Sequence, residues 1–199
     1  MRIVPFLLLA GLLAAAPKPA RAPANPKAAG SPSAPITIEV FSDFQCPACK
    51  ALHDETLTPL LKDYVATGKV YLIRHEFPLP QHAYGRLAAL YATAAARLGR
   101  YEEVADLLFL HQAAWSASGN VDETVCHILT PAEAKSLRAS LKDDPTIAAE
   151  VQHDVDLGQK IPVQRTPTMV IKHGSTVFPW AGAVNYELLR SYLDGQLAH

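Results

Sequence analysis

Apolar and polar positions along the chain alternate with two different periods, and the changes of period mark its elements. Ile36 to Phe41 alternates loosely at a period of two and predicts a strand. From Cys49 to Val65 the apolar positions Leu52, Leu57, Leu60, Leu61 and Val65 recur at helical spacing. Pro59 lies inside that helix and is expected to kink it, because proline lacks the N–H and crowds the preceding turn. Gly68 ends the helix. Lys69 to His75 then alternates again, with Val70 and Leu72 facing one way and Tyr71 and Ile73 the other. A helix between two strands predicts a parallel β-α-β connection.

Glu76-Phe77-Pro78-Leu79-Pro80 breaks the second strand, and from His82 the pattern turns helical for a long way. Ala83 to Leu98 and Tyr101 to Ala113 are predicted helices, followed by a break over Trp115 to Gly119 and a short helix over Asp122 to Leu129. Thr130-Pro131-Ala132-Glu133 has the form of an N-cap, an N1 proline and an N3 glutamate, and opens the next helix. Asp144-Pro145 opens another, reaching about Gly158. Strand character returns over Thr168 to Lys172, turns at His173-Gly174-Ser175 and comes back over Thr176 to Trp180. Asn185 to Leu197 is a terminal amphipathic helix. The order predicts an α/β domain over residues 36–199, with a helical insertion of approximately 82–160 between its second and third core strands.

The N-terminal part reads differently. Arg2 precedes an apolar run from Ile3 to Ala16, and Ala20-Arg21-Ala22 has the small-x-small form of a cleavage site. Residues 1–22 are therefore expected to be a signal peptide, with an uncleaved membrane tether as the alternative. Pro23 to Pro35, rich in Pro, Ala and Ser, is expected to be a flexible tether. Residues 1–22 hold three basic and no acidic side chains, so the remainder carries 15 Lys and Arg against 19 Asp and Glu, a formal charge of −4. That balance argues against nucleic-acid binding. No later stretch is long and apolar enough to cross a membrane. An export signal places the chain in the periplasm or outside the cell, where disulfides persist.

Chemistry concentrates at Cys46-Pro47-Ala48-Cys49, where the first strand meets the first helix. Unpaired backbone N–H groups at a helix N-terminus stabilise a thiolate, which assigns the nucleophilic role to Cys46. Cys49, one turn in, is more sheltered and suited to resolving a mixed disulfide. Pro47 suits the opening of the helix. A zinc or copper site would need two more ligands, and Cys126 with a histidine does not form a compact second pair. A purely structural bridge is the other alternative. Cys126 is expected to be a free thiol, and His75, His82 and His111 to be structural. Trp180-Ala181-Gly182 is expected to serve packing.

Three segments together carry a resemblance: Phe41-Ser42-Asp43-Phe44-Gln45-Cys46-Pro47-Ala48-Cys49, the Phe77-Pro78-Leu79 turn with His82, and Thr166-Pro167-Thr168. From Ile36 to Leu197 the chain resembles the DsbA-like thiol:disulfide oxidoreductases of the thioredoxin superfamily. The resemblance implies a thioredoxin-like fold and a cis Pro167 beside the disulfide, where backbone docks an extended substrate segment. It also implies that Thr166 tunes the thiols. Glu39 resembles the superfamily's buried acid, within one residue of alignment, and Asp43 is the other candidate for proton transfer or for capping. Strong oxidants of the family have Pro-His between the cysteines. Ala48 donates no side-chain hydrogen bond, which predicts a higher Cys46 pKa and a less oxidising disulfide than theirs. Lys50 and His53 lie in the same turns and are either partial compensation or solvated surface positions.

The expected activity is oxidation of cysteine pairs in exported proteins, a protein-folding function, through a Cys46–Cys49 redox disulfide. No dissolved cofactor or metal is expected, since the cysteines carry the two electrons. The partners are protein thiols and, by the resemblance, a membrane redox partner of the quinone-linked kind; the chain is expected to be a monomer. A periplasmic reductase or isomerase is the alternative, and a non-enzymatic peptide- or copper-binding module a more distant one.

Overall fold

A computed structural model describes residues 25–198; the expected signal peptide lies outside the described residues. Five strands form one sheet in the order β1-β3-β2-β4-β5, with β1 Ala28–Ala29, β2 Ile36–Ser42, β3 Val70–Glu76, β4 Thr168–His173 and β5 Thr176–Ala181. Strands β2 and β3 run parallel from Ile36 opposite Val70 to Ser42 opposite Glu76. β4 lies antiparallel to β2, and β5 returns antiparallel beside β4. The parallel crossover and the hairpin agree with the sequence pattern, and the architecture with the thioredoxin-like fold that the resemblance implies.

The crossover is a continuous helical rod: α1 Pro47–Leu52, a π-helical turn His53–Leu57, α2 Thr58–Leu60 and a second π-helical turn Leu61–Val65. Proline at 59 offers no N–H, and the chain meets this by widening the turns around it; Thr58 N–H and its hydroxyl both reach His53 O. The rod lays Leu52, Leu57 and Leu60 on one face of the sheet against Ile36, Ile38, Val40, Leu72, Met169 and Ile171. Leu189 and Leu193 of the terminal helix α9, Tyr186–Leu197, complete that core.

Helices α3 Gly85–Ala96, α4 Tyr101–Leu110, α5 Gln112–Ser118, α6 Val121–Cys126, α7 Pro131–Asp143 and α8 Pro145–Lys160 form a helical layer: α8 packs across the opposite face of the sheet against Phe41 and Val170, while Phe109 of α4 lies against His53 of the rod. Alanines 88, 92 and 95 of α3 are buried and let Val104, Leu108, Leu137 and Ile147 of neighbouring helices approach. The Thr130 capping box forms as its sequence predicts, and Asp144 and Asn185 cap α8 and α9. Gly158 of α8 allows the closest approach to the sheet: a Cβ there would lie 2.5 Å from the Phe77 ring and 3.1 Å from that of Phe41.

Two expectations are corrected. Trp115 to Gly119 is not a break; Trp115 belongs to α5, is 1% exposed, and its indole N–H donates to Leu108 O at 2.7 Å. The helix stops only at Gly119, whose φ of +79° suits a residue without a side chain. The break falls earlier instead, at His111, and divides the expected Tyr101–Ala113 helix.

The segment expected as a tether is, from Asn25 onward, part of the fold. Ala28 and Ala29 pair with Ile73 and Leu72, and Lys27 is 2% exposed. Its ammonium meets Asp154 and lies 3.2 Å from Glu150. Burial pushes the Lys27 pKa down, but the carboxylates of Glu76, Asp154 and Glu150 outweigh it and raise it overall. A segment with almost no bulky apolar residue is thus held by a buried ion pair. Removing one partner of such a pair leaves an uncompensated charge. Lys27→Ala is expected to lower stability by about 3 kcal/mol in urea denaturation; a loss below about 0.5 kcal/mol, as at an ordinary surface site, would contradict the docking of this segment.

Candidate active site

The cysteine pair sits where β2 hands over to α1, and both sulfurs join the core of the helical layer. The junction is built by Asp43, which is 1% exposed. Its Oδ1 accepts from Gln45 N at 2.8 Å, an Asx turn that reverses the chain before the helix. Its Oδ2 accepts from Leu79 N at 2.8 Å and lies 2.6 Å from His82 Nδ1. The Phe77–His82 loop, which leads into the helical layer, is thereby fastened to the cysteine loop. Asp43 thus caps the turn ahead of the helix, whose N-cap is Cys46, and its carboxylate is occupied by those partners. What it offers Cys49 is its backbone N–H, 3.4 Å from Sγ.

Two glutamines missed by sequence reasoning complete the junction. Gln112 Nε2 donates to Phe44 O at 2.7 Å and to Cys46 O at 3.0 Å. Gln45 Oε1 accepts from Tyr84 N at 2.7 Å. Their partners are main-chain atoms distant in sequence, so no local pattern announces them.

Cys46 is the N-cap of α1, with extended φ and ψ of −81° and 121°, and Pro47 follows at N1. Its carbonyl accepts from Cys49 N at 3.0 Å and Lys50 N at 3.2 Å. Hydrogen bonding from the Cys49 thiol, with further help from Thr166 and the backbone N–H groups of Cys49 and Ala48, lowers the Cys46 pKa from 9.0 to about 5, against the opposing effect of burial. Ala48 contributes through its main chain alone. Cys49, 1% exposed, is pushed well above the ordinary thiol value by burial and by the neighbouring Cys46 sulfur. One sulfur is held as thiolate and the other as thiol.

Thr166 and Pro167 approach from the loop before β4. The Thr166–Pro167 bond is cis, and Thr166 O lies 3.5 Å from Cys46 Sγ. Pro167 is buried, and its carbonyl accepts from Gly182 N at 2.7 Å, which ties the loop to the end of β5. Cys46, Pro47, Ala48, Cys49, Thr166 and Pro167 thus form one constellation.

Glu39 does not join it. Its carboxylate meets Lys172 Nζ at 2.6 Å. Strand residues alternate between faces, so an offset of one residue decides which side chain faces the helix. Here that residue is Val40, which lines the space beneath Cys49. Lys50 pairs with Asp54 at 2.7 Å on the surface. His53 is not solvated but buried, packed on the Phe109 ring at 4.6 Å. Cys126 belongs to the helical layer, 3.6 Å from Asp122 Oδ1. His75 stacks on Phe41 and bonds Asp154 at 2.8 Å, a structural placement. His111 lines a surface groove with Trp115. Among the described residues no group of three or more His, Cys, Asp or Glu is placed to hold a metal ion.

The thioredoxin family model matches residues 24–195. Disulfide bond formation protein D of Bacillus subtilis is 26% identical over 151 residues, 71% of this chain; the chain spans 65% of that relative's length. Among solved structures, Wolbachia pipientis alpha-DsbA1 superposes with a TM-score of 0.72 at 20% identity, covering 85% of this chain and 89% of that one. Bacillus subtilis BdbD in its oxidised form gives 0.70 at 24%, over 87% and 93%. These structures share the fold, and the span matched by the family model runs through both cysteines and the Thr166–Pro167 loop. The chain belongs to the thioredoxin family.

Proposed function

We propose that the chain is an exported thiol:disulfide oxidoreductase that oxidises cysteine pairs in secreted or periplasmic proteins. The observation that carries this reading is the placement of the pair: Cys46 stands at the N-cap of α1 beside Thr166 O, whereas Cys49 is buried one turn deeper, which lowers the pKa of the first thiol and raises that of the second. A stabilised thiolate favours the reduced enzyme and makes its disulfide the more oxidising. The name of the Bacillus subtilis relative, a disulfide bond formation protein, supports the same direction.

In the forward reaction a client thiolate attacks Cys46 Sγ of the Cys46–Cys49 disulfide, and Cys49 leaves and is protonated. A second client thiolate then attacks the client sulfur of the mixed disulfide. The client gains a disulfide, Cys46 departs as thiolate, and the enzyme keeps the two electrons. The loop at Thr166 and Pro167 is where an extended client segment docks. A membrane redox partner of the quinone-linked kind takes the electrons back. The enzyme acts as a monomer.

Cys46→Ser is expected to abolish turnover, and Cys49→Ser to accumulate mixed disulfides with clients on non-reducing gels. Full activity in Cys46→Ser, or no trapped species in Cys49→Ser, would contradict the assigned roles. Equilibration with glutathione buffers is expected to give a reduction potential above roughly −220 mV but below the about −120 mV of the strongest oxidants, in keeping with Ala48. A value below roughly −220 mV would favour the reductase instead.

The low Cys46 pKa has a stability consequence whose sign is fixed. Its folded value is depressed, so the stabilisation of the reduced protein is complete above the unfolded thiol's 9.0, shrinks as pH falls, and is lost through about 5. Thiolate absorbance should show a step with its midpoint near pH 5, absent in Cys46→Ser; a step at the ordinary thiol value would overturn the mechanism.

A further inference from the structure

Regenerating the disulfide requires Cys49, a buried thiol, to lose its proton. The expected acid, Glu39, faces away, and the position beneath the sulfur is filled by Val40. Something else must take the proton.

Beneath Cys49 lies a cavity of about 10 Å³, enough for a single water. Cys49, His53, Ser42, Arg74 and Tyr101 are among the residues that line it. His53 follows Cys49 by four positions, so the two side chains share one face of the rod. Its ring is 5% exposed, and Nε2 lies 2.9 Å from Asp106 Oδ1. The Asp106 side chain is 66% exposed and opens the far end of the path to solvent. Arg74, which is 5% exposed, gives Nη1 to Glu102 at 2.5 Å, while its Nε and Nη2 are buried without a partner. Such unpaired donors suit an ordered water in the cavity.

Resting on the oxidoreductase reading above, we propose that His53 accepts the proton of Cys49 through a water in this cavity and passes it by Asp106 to solvent. Cys49 then attacks Cys46 Sγ of the mixed disulfide. The Cys46–partner bond breaks, the Cys46–Cys49 bond forms, and the partner leaves as a thiolate with the electron pair. In the reverse direction the same imidazole returns the proton to the departing Cys49.

The groups facing His53 set its protonation. Burial lowers its pKa most; Asp106 and Asp54 raise it and Arg74 lowers it, with a net downward direction. Tyr101 faces the same cavity but donates its hydroxyl to Glu76 Oε1 at 2.7 Å, and Glu102 is engaged by Arg74. The imidazole is therefore neutral near neutral pH, as a proton acceptor requires.

The test is stopped-flow reaction of the reduced full chain with an aromatic disulfide such as 5,5′-dithiobis(2-nitrobenzoate). With the third thiol removed by Cys126→Ser in every protein compared, the first equivalent of aryl thiolate reports attack by Cys46, and the second reports attack by Cys49. His53→Gln is expected to leave the first phase within about twofold and to slow the second at least about tenfold. In the unsubstituted protein the second phase should level off above an inflection below pH 6.5; in the variant it should keep rising with pH. Asp106→Asn, at the exposed end, should move that inflection to lower pH, because a carboxylate that raises the His53 pKa is gone. Equal slowing of both phases in His53→Gln, an unchanged second phase, or an unmoved inflection in Asp106→Asn would overturn the proposal. Should His53→Gln fail to fold, the Asp106→Asn profile decides. Absence of any second phase in the unsubstituted protein would instead refute the redox pair itself.

Discussion

The arrangement depends on one buried carboxylate. Asp43 receives Gln45 N–H, Leu79 N–H and the His82 ring, and so joins the end of a central strand to the loop that begins the helical layer. A fully desolvated carboxylate is tolerated only with its lone pairs occupied. Each donor is therefore held in place by the cost of losing it. Gly85 closes the arrangement, since a Cβ there would lie 2.6 Å from Asp43 Oδ1. Sheet, cysteine loop and helical layer meet at this group, and the helix carrying the sulfurs begins where it does because Asp43 turns the chain.

From that geometry the electrostatics follow. A helix start offers donors to whatever occupies the N-cap, and here the occupant is a sulfur. The second cysteine, one turn deeper, is buried, and there the cost of desolvation outweighs the Asp43 N–H that reaches it. The same two atoms in solution would titrate together. Placed one turn apart across the boundary of the core, they separate into a nucleophile and a proton-bearing reserve. No external charge is needed for this, which is why a dipeptide as plain as Pro47-Ala48 suffices for the lowered value.

Much of the fold was legible because its signals are local. The alternation of β2 and β3, the hairpin of β4 and β5, and the caps at Thr130, Asp144 and Asn185 are each written within a few residues. Cys46 and Cys49 were read in the same way, from a motif at an element boundary, whereas Pro167 entered through the family resemblance. What was not legible depends on distance. Lys27 looked like part of a loose linker because its partners, Asp154 and Glu150, are more than a hundred residues on. Glu39 was misplaced by a single position, which in a strand is the difference between two faces. Gln112 is an unremarked polar position until Cys46 O is seen beside it.

Gly158 shows how far the site extends beyond its sulfurs. The missing side chain sets the spacing between α8 and the aromatic pair Phe41 and Phe77. Phe77 is two residues from Leu79, whose N–H is one of the donors to Asp43. A single methyl group on the outer helix would press on this short lever, and interiors packed to crystal-like density pass displacement on rather than absorb it. The cysteine loop is in this sense braced from the outer helix, through two rings and one hydrogen-bonded loop.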